Sequence, residues 1–187
     1  DDPETWATQL PFIDSNGNIL WTKSLPDQSW AVDVSGDGSI VSATTHATRA
    51  DNFIYIWDQD GKDLWRAPLD SESLDVDISM SNQHVATGKP GPGYSLGIYD
   101  ARTGVKAREF DTGANKIRQV DFTPDGQHIV AGPMLHMFTL GGETIWRRYE
   151  FSGLPYVIWI SSDQSRIMIP DKGDYISMYN GNGDLMW

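Results

Sequence analysis

The chain has 187 residues, with 14 Lys and Arg against 26 Asp and Glu, a formal charge of −12, eight tryptophans and no cysteine. At 39% hydrophobic and 11% aromatic it is too apolar to stay disordered, and its length fits one domain. The acidic balance excludes nucleic acid as a partner, because phosphate binding needs a basic surface; the missing cysteines exclude disulfides, zinc-thiolate sites, iron–sulfur clusters and thiol catalysis.

Residues 1–7 read as an N-terminal lead, and residues 8–187 as a single domain. A leading pair of strands is expected at 8–13 and 18–23, closed by Asp14-Ser15-Asn16-Gly17-Asn18-Ile19-Leu20-Trp21. Four longer units follow, with approximate bounds 24–67, 68–110, 111–148 and 149–187, after the partial one at 8–23. Each opens on an apolar run: Val32-Asp33-Val34-Ser35, Val76-Asp77-Ile78-Ser79, Val120-Asp121-Phe122-Thr123 and Ile158-Trp159-Ile160-Ser161, spaced by 44, 44 and 38 residues. A second run follows each turn (Ser39-Ile40-Val41, His84-Val85-Ala86, His128-Ile129-Val130, Arg166-Ile167-Met168), then an aromatic-rich third, as in Phe53-Ile54-Tyr55-Ile56-Trp57. The fourth run ends on an aromatic, so Trp21, Trp65, Phe110, Trp146 and Trp187 occupy one repeat position.

Runs of four to six β-branched and aromatic residues, punctuated by Gly, Asp, Asn and Pro, predict four antiparallel strands per unit. Asp37-Gly38 and Asp125-Gly126 supply turns between first and second strands; Asn16-Gly17, Asp60-Gly61 and Asn182-Gly183 supply them between third and fourth. One four-stranded sheet per repeat, arranged radially, is the β-propeller solution to unpaired edges, so the expected class is all-β and propeller-like. No apolar run approaches the length of a spanning helix, so no transmembrane segment is expected. The first residue, Asp1, fits either a processed mature chain or an excised piece of a longer one; the former reading carries the expectation of an extracellular, periplasmic or cell-surface location.

Asp121-Phe122-Thr123-Pro124-Asp125-Gly126-Gln127-His128-Ile129-Val130-Ala131-Gly132 and Ile54-Tyr55-Ile56-Trp57-Asp58 resemble the WD-repeat pattern. Tyr99-Asp100-Ala101-Arg102-Thr103-Gly104 and Asp58-Gln59-Asp60-Gly61-Lys62-Asp63-Leu64-Trp65 resemble the tryptophan-docking segment of PQQ-like (quinoprotein-like) repeats. The Gly-His pair that often opens a WD repeat is missing, which favours the PQQ-like branch. The resemblance implies a propeller and specifies no activity. Four units of four strands and a leading pair do not make a multiple of four. Two explanations stand: the chain is part of a larger ring of about six to eight blades, its leading pair completed by later C-terminal strands, or another chain pairs with the open edge.

In a meander of this kind the tight Asp-Gly and Asn-Gly turns share one face, and the long loops share the other, where binding residues concentrate. His46, Arg49, Lys89, Lys116, Arg118, Arg147, Arg148 and Tyr149 are the candidate binding residues on the long-loop face; the competing reading is solvated charges balanced by nearby carboxylates. Asp33, Asp77 and Asp121 fall at equivalent first-strand positions, either to present carboxylates to a cation or to accept backbone hydrogen bonds. Asp58, Asp60 and Asp63 suit either a calcium loop without the glutamate of an EF-hand or plain hairpin geometry. No catalytic residue and no metal ligand set emerges, and no cofactor other than calcium is suggested. The composite expectation is a non-enzymatic scaffold for protein–protein interaction or self-assembly. Two alternatives of other classes are a quinoprotein-type or other propeller enzyme, and a carbohydrate-binding surface using Trp30, Tyr94, Tyr149 and Tyr156.

Overall fold

The computed structural model describes residues 7–46, 52–69, 73–89, 95–113, 117–132, 135–148, 157–171 and 175–187. Among these the chain is all-β, and no helix is long and apolar enough to cross a membrane. β1 (Thr8–Ile13) and β2 (Ile19–Leu25) form the leading pair. Three four-stranded antiparallel meanders follow: β3 (Gln28–Val34), β4 (Ile40–His46), β5 (Asn52–Asp58) and β6 (Asp63–Leu69); β7 (Val76–Ile78), β8 (His84–Gly88), β9 (Ser95–Asp100) and β10 (Lys106–Asp111); β11 (Gln119–Phe122), β12 (His128–Gly132), β13 (Leu135–Thr139) and β14 (Thr144–Arg148). The last sheet has three strands, β15 (Trp159–Ile160), β16 (Arg166–Asp171) and β17 (Tyr175–Asn180). Its fourth place is taken by the C-terminal residues without a full strand: Leu185 bridges Tyr179, the Met178 N–H donates to Trp187 O (2.9 Å) and the Met186 N–H to Met178 O (2.8 Å).

The turns follow one recipe. Between β3 and β4 the Gly38 N–H donates to Ser35 O (2.8 Å), and Asp37 Oδ1 accepts the Ser35 hydroxyl (2.9 Å) and the Ser39 N–H (2.9 Å). Thr123, Asp125 and Gly126 repeat this between β11 and β12. In the equivalent slots the left-handed residue is not glycine but Asn82 (φ 57°) and Gln164 (φ 59°), which is why no Asp-Gly pair marks those two turns. Side-chain oxygens that satisfy the turn's own N–H groups are the local reason for Asp and Ser at these sites.

The sheets stack face to face in chain order, because a middle strand such as β4, buried along almost its whole length, needs a partner on each side. Val41, Ala43 and Trp57 pack on Leu25 of the leading pair, while Ile40, Ile54 and Ile56 pack on Val76, Ile78 and Val85 of the next sheet. Ala86, Leu96 and Ile98 meet Val120, Phe122 and Ile129, and Val130, Leu135 and Met137 meet Ile158, Ile167 and Ile169.

The closing aromatics fasten each interface. Each lies flat on the turn glycine of the following sheet: an added Cβ would lie 2.9 Å from Trp21 at Gly61, 2.6 Å from Trp65 at Gly104, 2.8 Å from Phe110 at Gly142 and 2.7 Å from Trp146 at Gly183. The indole N–H groups of Trp21, Trp65 and Trp146 donate to Gln59 O (2.9 Å), Ala101 O (2.8 Å) and Gly181 O (3.1 Å) in the same turns. Side chains two residues beyond the aromatic add a polar link at two interfaces: Lys23 reaches Asp63 (2.8 Å), and Arg148 reaches Gly183 O and Asp184. Trp187 shares the repeat position of these aromatics but not their burial. It is 64% exposed against 9% for Trp146, and among the described residues no further sheet lies against it. Trp146→Ala is expected to cost about 3–5 kcal/mol in a denaturant titration, whereas Trp146→Phe, which reproduces the Phe110 interface, loses chiefly one hydrogen bond and costs about 1–2 kcal/mol.

Candidate carboxyl column and the long-loop residues

At the opposite edge of each sheet, the first strands β3, β7 and β11 lie side by side. Strand alternation turns Asp33, Asp77 and Asp121 towards the following sheet, with flanking residues such as Val76 and Ile78 turned towards the preceding one. Asp33 Oδ2 accepts the Ile78 N–H at 2.7 Å, and Asp77 Oδ2 accepts the Phe122 N–H at 2.6 Å. Asp75, not singled out in the sequence, does the same for the Val120 N–H at 2.8 Å. Each bond links residues 45 apart, one repeat plus one, so the carboxylates act as rungs between neighbouring first strands. Of the three repeat aspartates, Asp33 and Asp77 thus accept backbone hydrogen bonds, while Asp121 meets the Asp77 carboxyl. Among the described residues no group of three or more His, Cys, Asp or Glu is disposed to hold a metal ion.

The column is half-buried, and its members raise one another's affinity for protons. Burial, then the Asp121, Asp33 and Asp75 charges, push Asp77 up to about 9. Burial foremost carries Asp75 and Asp121 to about 7, and it raises Asp33 as well. The Asp77 carboxyl sits within hydrogen-bonding reach of both Asp33 and Asp121, so protonated Asp77 donates where two ionised neighbours would repel.

The other candidates are distributed over three sheets. His46 ends β4 and stacks on Trp30, with ring centroids 3.9 Å apart and planes at 4°. Lys89 Nζ lies 2.6 Å from Glu109, which also accepts Lys106 (2.8 Å) and Ser95 (2.9 Å); those hydrogen bonds, Lys106 foremost, hold Glu109 down at about 2. The Arg118 backbone N–H donates to Gly132 O (2.9 Å), beside β11. Arg147 donates to Thr144 Oγ1 (3.1 Å), while Arg148 lies over the Trp146 ring and reaches the Asn180–Asp184 turn. Lys89 and Arg148 therefore take part in the fold's own contacts. Arg49, Lys116 and Tyr149 lie outside the described residues. Of the calcium-loop candidates, Asp58 Oδ1 accepts the Asp60 (3.0 Å) and Lys62 (2.8 Å) N–H groups, and Asp63 pairs with Lys23. Trp30 is 55% exposed, and a groove of about 380 Å³ opens beside Tyr55, Trp57, Lys23 and Arg66.

No protein-family model matches the chain, and no curated protein matches it.

Because the column's folded pKa values are raised above the ordinary 3.8, its protonated form favours the folded chain. That contribution is full below about pH 4 and is lost as pH rises through 7 to 9. Glu109 acts in the opposite sense, its contribution being lost as pH falls from 4.5 through about 2. The melting temperature is expected to decline between pH 5 and pH 9. In Asp77→Asn, whose amide still accepts from Phe122 and donates without titrating, that decline should flatten; an unchanged slope would remove the column as its cause.

Proposed function

We propose that the chain is a stretch of β-propeller of the PQQ-like or WD-repeat type, acting as a non-enzymatic scaffold for protein–protein interaction or assembly. The observation that carries this reading is the joint between sheets, repeated at four successive interfaces: a closing aromatic on the next sheet's turn glycine. Sheets fastened face to face by a repeated joint are the construction a propeller blade requires. Asp33, Asp77, Trp21, Trp65 and Trp146 engage neighbouring sheets, and recognition is assigned to the loops on the far side from the tight turns, where binding residues concentrate. Of the candidate binding residues, His46, Lys89, Arg118, Arg147 and Arg148 are the described ones that this reading assigns to that side.

Trp30 favours a second reading, a carbohydrate-binding surface, because an exposed indole stacked on His46 offers a flat ring to a sugar.

Titration with a quinone cofactor and calcium separates scaffold from enzyme. The scaffold reading expects the absorption spectrum and melting temperature to stay unchanged; saturable binding that raises the melting temperature would replace it by the quinoprotein reading. Glycan binding lost in Trp30→Ala would instead establish the sugar surface.

A further inference from the structure

The groove of about 380 Å³ lies between β2 and the outer strands β5 and β6 of the next sheet, and its size is that of a small-molecule site. The strand register says which side chains face it. Tyr55 pairs with Arg66 across β5 and β6, and Trp57 with Asp63, so these four share the face of the sheet that packs towards β2. From the other side, Trp21, Lys23 and Leu25 alternate along β2 on the face that meets them.

One wall is apolar and the rim is cationic. The Tyr55 and Trp57 rings stack with centroids 5.7 Å apart and planes at 7°, and Leu25 completes the wall; Trp57 and Leu25 are buried, whereas Tyr55 is half-buried. Lys23 Nζ lies 5.7 Å over the Trp57 ring and 2.8 Å from Asp63 Oδ1, and that hydrogen bond foremost lowers the Asp63 pKa. The Arg66 guanidinium lies 5.2 Å over the Phe53 ring, beside the Tyr55 hydroxyl. It is exposed, and among the described residues it makes no ion pair. Burial foremost raises the Tyr55 pKa, so the phenol keeps its proton and remains a donor. Two cations against one carboxylate give the lining a surplus of one positive charge, on a chain of −12.

The corresponding place in the following sheet is filled from within. Pairing across the strands equates Tyr55 with Gly97 and Arg66 with Glu109. A Cβ on Gly97 would lie 3.2 Å from the Tyr99 ring, and Glu109 takes up both Lys89 (2.6 Å) and Lys106 (2.8 Å). In the first interface Asp63 takes up Lys23 and the sheets supply Arg66 with no carboxylate of its own.

We propose that this groove binds a small carboxylate with a flat apolar body, such as an aromatic acid, the body lying along Tyr55, Trp57 and Leu25 and the carboxylate meeting Arg66 and the Tyr55 hydroxyl. Charge complementarity selects the anion, because the guanidinium presents a planar fork of donors that matches a carboxylate. The wall selects the body, because a bare inorganic anion would leave that apolar surface in water. The site uses neither the carboxyl column nor the long-loop residues, so it stands or falls independently of the scaffold reading.

An NMR titration of the nitrogen-labelled 187-residue chain tests this, with indole-3-acetate as probe and indole-3-acetamide and acetate as controls lacking the charge or the body. Indole-3-acetate is expected to shift the signals of Tyr55, Trp57 and Arg66 with a dissociation constant of about 1 mM or tighter, the range of a fragment of that size. Both controls should bind at least about tenfold more weakly, as should the acid to Arg66→Gln, whose exposed side chain leaves the fold intact. Arg108→Gln, which removes an exposed outer-strand cation outside this groove, should bind as wild type does. The proposal is overturned by the absence of a saturable shift up to about 10 mM, by shifts confined to other parts of the chain, by a control binding as tightly as the acid, or by full affinity in Arg66→Gln.

Discussion

The structure depends on the contact between an aromatic ring and a glycine one sheet away. Glycine is required on two counts: the turn places it in the left-handed region, and a side chain there would occupy the space the ring takes. A Trp ring buries on the order of 150–250 Å², so a single residue supplies much of the apolar area that ties the outer part of one sheet to the next. Phe110 shows which component is constant, since that interface keeps the flat packing and does without an indole hydrogen bond.

At the other edge the fastening is chemically different. Adjacent first strands approach closely, and a short carboxylate satisfies an N–H that the sheets' own ladders leave open. Several aspartates gathered in one half-buried place cannot all ionise without cost, so the column holds protons that isolated carboxyls would lose. The same geometry that links the sheets thus makes that link sensitive to pH. With rings at one edge and carboxyls at the other, little freedom remains between sheets, the condition under which loops can be displayed in a fixed arrangement.

Strand periodicity, the turn residues and the position of each closing aromatic were legible in the sequence, because each depends on neighbours a few residues away: alternation along a strand, a carboxylate capping its own turn, a positive φ. Even so, Asn82 and Gln164 hid two turns of the same build. The tertiary structure alone decided which groups meet across sheets. That Asp33 binds Ile78, that Asp75 joins the column, and that Lys89 pairs with Glu109 and Arg148 with the turn at Asp184 all follow from how the strands and sheets are placed on one another. That placement is fixed by packing between residues about one repeat apart. The residues themselves carry the chemistry of a donor, an acceptor or a ring, and only the stacked sheets assign each its partner.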